Sequence, residues 1–131
     1  MSLLFDSNVF IYHLNGALGA YGQSLLKQGL VEGGAFSVIS RIEVLGFPQP
    51  PAELEKASRL FAGLNQIELN AEIVAQTIAL RQLRKIKIPD GLIAASALHL
   101  GLPLVTHNVR DFRWITGLKL IDPLASSLDV T

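Results

Sequence analysis

Residues 87–112 read KIPDGLIAASALHLGLPLVTHNVRDF. The alanine-rich part, residues 90–100, suits a buried helix. Pro89 in front of it stops a helix continuing from Lys87, because the residue before a proline avoids the helical region. Gly101 and Pro103 close the helix, and Leu104-Val105-Thr106 then reads as a short buried strand. A helix feeding a strand through so few residues is one step of an alternating α/β chain. The run is also bracketed by acids: Asp90 opens the helix, and Asp111 follows the strand in the turn THNVRDF.

The alternation repeats upstream. Leu3-Leu4-Phe5 is a buried-strand run ending at Asp6-Ser7-Asn8, residue types that favour turns and helix caps. Helical segments follow over residues 9–14 and 18–31, the second marked by Leu18, Tyr21, Leu25, Leu26 and Leu30. Gly33-Gly34 ends it. Residues 35–39 read as a strand and 40–45 as a short helix. Pro48, Pro50 and Pro51 make a rigid connection into a helix over 52–64. Residues 67–69 form a third strand. Asn70 caps a helix running toward Lys85, with a face of Ile73, Val74, Thr77, Ile78 and Leu80 or Arg81. Residues 118–121 form a last strand. Connections too long for hairpins predict an α/β three-layer sandwich, a central and mainly parallel sheet with helices on both faces. No repeat or linker interrupts it, so residues 1–131 are expected to form one domain.

Half the residues are hydrophobic, formal charge is zero and cysteine is absent. Without cysteine there is no disulfide framework, thiolate metal site or thiol nucleophile. The most apolar window, residues 91–106, contains His99 and Pro103 and is shorter than the roughly 18–20 residues of a membrane span. The start, MSLLFDSNVF, lacks a basic leader with a long apolar segment, so the cytoplasm is the expected location. Charge neutrality argues against a broad phosphate-contacting surface. Arg81, Arg84, Lys85 and Lys87 nevertheless crowd together just before Asp90. They read either as a solvated helix end or as a local attraction for an anion.

Asp6, Glu43 and Asp111 each follow a strand, Glu43 in the first turn of the 40–45 helix, and Asp90 heads a helix. In an open parallel sheet ligands bind beyond the carboxyl ends of the strands. Each acid also has a local reading. Ser40-Arg41-Ile42-Glu43 matches a capping box, Asp90 and Asp111 can cap short helices, and Asp6 can form an Asx turn. Gathered near a core, ionised carboxylates repel one another and their pKa values rise unless a cation offsets them. Mg²⁺ or Mn²⁺, hard and oxygen-seeking, suits such a set. Glu32, Glu53, Glu55, Glu68 and Glu72 fall at solvated helix ends or strand edges, and Asp122 and Asp129 lie in the tail. Ser7, Ser40 and Ser96 lack a nucleophile-elbow sequence, and His13, His99 and His107 are not spaced as zinc ligands. His107, nearest the acids, reads as a bystander or an aid to substrate binding. No glycine-rich phosphate loop follows the first strand. A phosphoacceptor receiver is disfavoured, because Asp6-Ser7-Asn8 is no acidic pair and no aspartate ends the 35–39 strand.

LLFDSNVFIYHL, SVISRIEVLG, IPDGLIAASAL and LVTHNVRDF, in that order, resemble the motifs of PIN-domain ribonucleases, and most of all VapC-type toxins of toxin–antitoxin pairs. The resemblance runs from Leu3 to about Pro123. It implies an endoribonuclease dependent on Mg²⁺, with Mn²⁺ as substitute. Asp6 matches the first metal-binding aspartate, Glu43 the glutamate after S/T-x-x, and Asp90 the aspartate opening the I-A-A-x-A helix. Relatives place the fourth acid either where Asn108 stands or later; the role is carried to Asp111, with Asn8, Ser40, Thr106 and Asn108 in support. Arg41, Arg110 and Arg113 are candidate phosphate holders or solvated surface. Gly91 stands where alanine is common. The implied partners are an RNA substrate and a small antitoxin received by the helices of residues 18–64; the half-hydrophobic composition also points to a second copy met near residues 70–85. The alternative is a catalytically silent PIN-like domain that binds RNA or protein.

Overall fold

The structure is a computed structural model, and the described residues are 2–125; Asp129 lies outside them. Strand β1 (Leu4–Phe5) is central. Helices α1 (Ser7–Leu14) and α2 (Gly19–Glu32) carry the chain to β2 (Ala35–Ser37), and α3 (Val38–Leu45) and α4 (Pro51–Ala62) to β3 (Asn65–Ile67). Helices α5 (Ala71–Leu83) and α6 (Ile88–Leu100) then lead to β4 (Leu104–Val105), and α7 (Val109–Phe112) to β5 (Leu120–Ile121). The sheet order is β3-β2-β1-β4-β5, and every pairing is parallel. This is the predicted three-layer α/β sandwich.

The inner strands β1, β2 and β4 are buried and largely apolar because they are covered on both faces. Successive side chains point to opposite sides. Leu3, Phe5, Phe36 and Val105 enter a core with α1, α2 and α4, while Leu4, Ala35 and Leu104 enter a second core with α5 and α6. Phe10 ties the first core together, its ring 6.2 Å from Phe5, 6.1 Å from Phe36 and 4.8 Å from Phe61. Helix α2 approaches this cluster through Gly29. A Cβ there would lie 2.5 Å from Phe5 Cε2 and 2.7 Å from Cζ. Gly29→Ala should therefore push on the residue preceding Asp6 and cost about 1–3 kcal/mol by overpacking. Chemical denaturation would show it; an unchanged midpoint would mean α2 does not pack this closely.

Several boundaries differ from the sequence reading. Helix α6 begins at Ile88, with Pro89 in its first turn, so Asp90 lies inside the helix and does not head it. Proline is tolerated there because the first-turn N–H groups have no intrahelical partner. Helix α3 begins at Val38, and Ser37, not Ser40, caps it by accepting from Ile39 N at 3.1 Å. Helix α1 takes in Ser7 and Asn8, with Asp6 as its cap. Strand β3 lies at Asn65–Ile67, two residues before the apolar run expected to form it. On α5, Ile73, Thr77 and Leu80 are buried, but Val74 and Ile78 face solvent. Gly91 is buried where α6 crosses α5, and a Cβ there would meet Thr77 Cγ2 at 3.1 Å. The glycine thus serves close helix packing.

Candidate active site

The carboxyl ends of β1 and β4 place two polar residues side by side. Asp6 N donates to Val105 O at 2.9 Å, and Thr106 N donates to Ile121 O at 2.9 Å, so the ladder extends one step past each strand. Asp6 is only 5% exposed. Its Oδ1 accepts from Ser7 N at 2.7 Å, and its Oδ2 from Thr106 Oγ1 at 2.9 Å and Asn8 Nδ2 at 3.4 Å. Thr106 Oγ1 in turn accepts from Asn8 Nδ2 at 3.2 Å and Asn108 N at 3.0 Å. Asp6 is thus held rigidly, with few degrees of freedom left.

Glu43 reaches this group through Ser7, whose Oγ donates to Glu43 Oε1 at 2.7 Å and lies 2.9 Å from Ser40 Oγ. Ser7 has one hydroxyl proton. When Glu43 takes it, Ser7 accepts from Ser40. Ser40, fully buried, therefore bonds to Ser7 and does not close a capping box. Glu43 itself is exposed and lies in the second turn of α3. Asp111 is exposed too, its Oδ2 accepting from Asn108 Nδ2 at 2.8 Å. Asp90 is half-buried beside it, and both line a cleft of about 500 Å³ with Arg81, Arg84, Lys87 and Trp114.

Electrostatics connects the acids. Burial pushes the Asp6 carboxyl up to about 6; the hydrogen bonds from Thr106 and Ser7 oppose the rise, and nearby Asp90 and Glu43 add to it. Burial also raises Asp90, with Glu43 and Asp111 raising it further and Lys87 opposing. Each acid therefore feels at least one other. They do not form a finished cage: among the described residues no three acidic or histidine side chains stand close enough together to hold a metal ion. A hard divalent ion fits the donor chemistry, which is all oxygen, although Lys87 and the arginines of the cleft offset part of the negative charge. The fit is one of donor type and charge, not of preformed geometry.

The remaining candidates separate. Arg110 and Arg113 border a second cleft with Asn8, Tyr12, His107 and Asp111. Arg41 donates to Gln66 Oε1 at 3.1 Å and lines a different depression with Phe36 and Phe61, apart from the acids' clefts. His107 Nδ1 pairs with Asp122 Oδ1 at 3.0 Å, so Asp122 does more than solvate a tail. Sequence reasoning missed the Ser7–Glu43 link and Trp114. The serine in Asp6-Ser7-Asn8 was the only signal for the first. Nothing local marks the second, because Trp114 Nε1 donates to the Asp111 carbonyl, at 2.9 Å, only once the 109–114 segment has folded.

The PIN domain family model matches residues 3–117. The chain is 30% identical to a chain of a toxin–antitoxin complex from Klebsiella pneumoniae, over 93% of this chain and 98% of that one, with a TM-score of 0.74. A chain of DNA-bound VapBC from Salmonella typhimurium shares the fold at 19% identity and a TM-score of 0.81, over 94% of this chain and 98% of that one. One from VapBC2 of Rickettsia felis, bound to a fragment of promoter DNA, does so at 22% and 0.78, over 92% and 98%. No curated protein matches the chain. No helix among the described residues is long and apolar enough to cross a membrane. The motif order, the parallel sheet and these likenesses agree, and the chain belongs to the PIN-domain family.

Proposed function

We propose that this chain is a Mg²⁺-dependent endoribonuclease acting in the cytoplasm as the toxin of a toxin–antitoxin pair. The observation that carries the reading is Asp6: a nearly buried carboxylate at the end of the central strand, made harder to ionise chiefly by that burial, with Asp90 and Glu43 adding to it. A site that concentrates negative charge at the sheet's ligand edge suits a divalent cation and a phosphodiester substrate. Asp6, Asp90 and Asp111 would hold the ion, with Glu43 touching it directly or through water. The bound ion would polarise a phosphate oxygen and lower the pKa of a water molecule.

The chain's own residues do the rest. Thr106, Asn8 and the Ser7 amide fix Asp6. Asn108 would orient Asp111, and Ser7 would hold Glu43 so that its exposed carboxylate accepts the proton of the attacking water. The water oxygen bonds to phosphorus as the bond to the leaving ribose oxygen breaks. Arg110, beside Asp111 in both clefts, is placed to meet a substrate phosphate.

Relatives in toxin–antitoxin complexes suggest a small antitoxin as partner. Ile11, Leu30, Phe47 and Ile42 are exposed apolar residues on or beside the early helices, where such a partner would be received. Val74 and Ile78, one turn apart on α5, offer a face for a second copy. The absence of a preformed cage among the described residues favours a second reading, a silent domain that binds RNA or protein. Purified protein incubated with single-stranded RNA separates the two. Cleavage that needs Mg²⁺ or Mn²⁺ and stops with EDTA is expected; none at any divalent concentration would favour the silent domain.

A further inference from the structure

The cleft that holds Asp90 and Asp111 has an aromatic wall as well as a cationic one. Trp114 is half-buried, and its Nε1 donates to the Asp111 carbonyl at 2.9 Å, which fixes the plane of the ring beside that acid. The Arg84 guanidinium carbon lies 5.1 Å from the ring centroid, within cation–π range. Arg84 is exposed, and among the described residues its only side-chain partner is this ring. Arg81, Lys85, Lys87 and Arg110 line the same cleft without an ion pair among the described residues. Its volume, about 500 Å³, is that of a small-molecule site. Cations alone would serve any polyanion. A fixed indole face covered by a loosely held guanidinium suits a flat, apolar-faced group flanked by negative charge.

We propose that Trp114 and Arg84 form a seat for one unpaired nucleobase of the RNA strand. The inference rests on the endoribonuclease reading and deepens it. The base stacks on the indole face, and Arg84 turns from the ring toward a flanking phosphate. Because the ring is tied to Asp111, the phosphate next to the seated nucleotide lies at the acidic end of the cleft. Trp114 is thus a positioning residue. A base inside a duplex has both faces stacked and cannot use the seat, so the site selects single-stranded or looped RNA.

Trp114 is the sole tryptophan, so its fluorescence reports the seat directly. The full chain in EDTA, where cleavage is off, is titrated with a short oligouridylate. An abasic ribose–phosphate oligomer, a blunt RNA duplex and polyglutamate are titrated in parallel. Strong quenching by oligouridylate and little by the other three is expected. Trp114→Ala should weaken oligouridylate binding, read by anisotropy of labelled RNA, by about 10- to 100-fold. Trp114→Phe should keep most of the affinity, which separates stacking from loss of packing. Oligouridylate that binds without quenching and with equal affinity for Trp114→Ala would overturn the seat and leave the nuclease reading standing. Equal quenching by polyglutamate would mean the cleft receives an acidic protein segment and would also overturn it. No binding of any RNA would overturn the seat.

Discussion

Asp6→Asn is expected to lower RNA cleavage by about a thousandfold or more while the protein stays folded. The effect is large because one substitution removes the charge from the best-fixed oxygen donor of the site. A metal ligand that stabilises the transition state by several kcal/mol corresponds to about three decades in rate. The fold should survive because asparagine is nearly the same shape. Its oxygen can still accept from one of the two donors, Ser7 N or Thr106 Oγ1, so a local hydrogen bond is lost while both cores are untouched. Asp90→Asn should lose activity similarly. Initial rates at saturating Mg²⁺ measure both, and retention of activity within tenfold in both variants would remove these residues from the site.

The second large effect is on stability against pH. The Asp6 carboxyl titrates near 6 in the fold against 3.8 in the unfolded chain. Between those values the folded state binds more protons than the unfolded one, so unfolding free energy falls as pH rises. The stabilisation is therefore complete below pH 4, declines through pH 6 and is absent at pH 7. It amounts to about 3 kcal/mol for this one group. Asp90 is shifted in the same direction and acts with the same sign. In EDTA the protein should thus be more stable at pH 5 than at pH 7.5, and Asp6→Asn should flatten the difference. Mg²⁺ should stabilise the wild type at pH 7.5 and much less at pH 5, where protons compete for the same oxygens. Urea unfolding with and without Mg²⁺ decides it. Identical pH dependence in wild type and Asp6→Asn would show that Asp6 is not the strained group.

These expectations rest on contacts between residues distant in sequence, which is why the sequence revealed them unevenly. The strands around Asp6 and Thr106 were readable, because a strand buried on both faces must be a continuous apolar run broken by turn residues. Strand β3 was misplaced because it lies at the sheet edge and is built from Asn65 and Gln66 as much as from Ile67. Ser40 looked like a cap from its spacing to Glu43, but Ser37 caps α3, and Ser40 turns inward to Ser7 on another helix. Local pattern cannot tell these roles apart; a contact spanning 33 residues decides between them. The helix after Pro89 is legible from its alanine-rich run, but its start is not: it begins at Ile88 and takes Pro89 into its first turn, where proline is tolerated. The acids themselves were found from their positions after strands and near a helix start. Which of them is rigid and which exposed was not, because burial of Asp6 and exposure of Glu43 and Asp111 depend on how α1, α3 and α7 surround the edge.

On the proposed reading, these four carboxylates bind a divalent ion although they stand short of a closed cage. Anomalous scattering from crystals of the wild-type protein soaked in Mn²⁺ tests it most directly. A peak in direct contact with Asp6 and at least one of Asp90, Asp111 and Glu43 is expected, absent from Asp6→Asn crystals. A peak that avoids Asp6, or no peak at a Mn²⁺ concentration that supports RNA cleavage in solution, would contradict it.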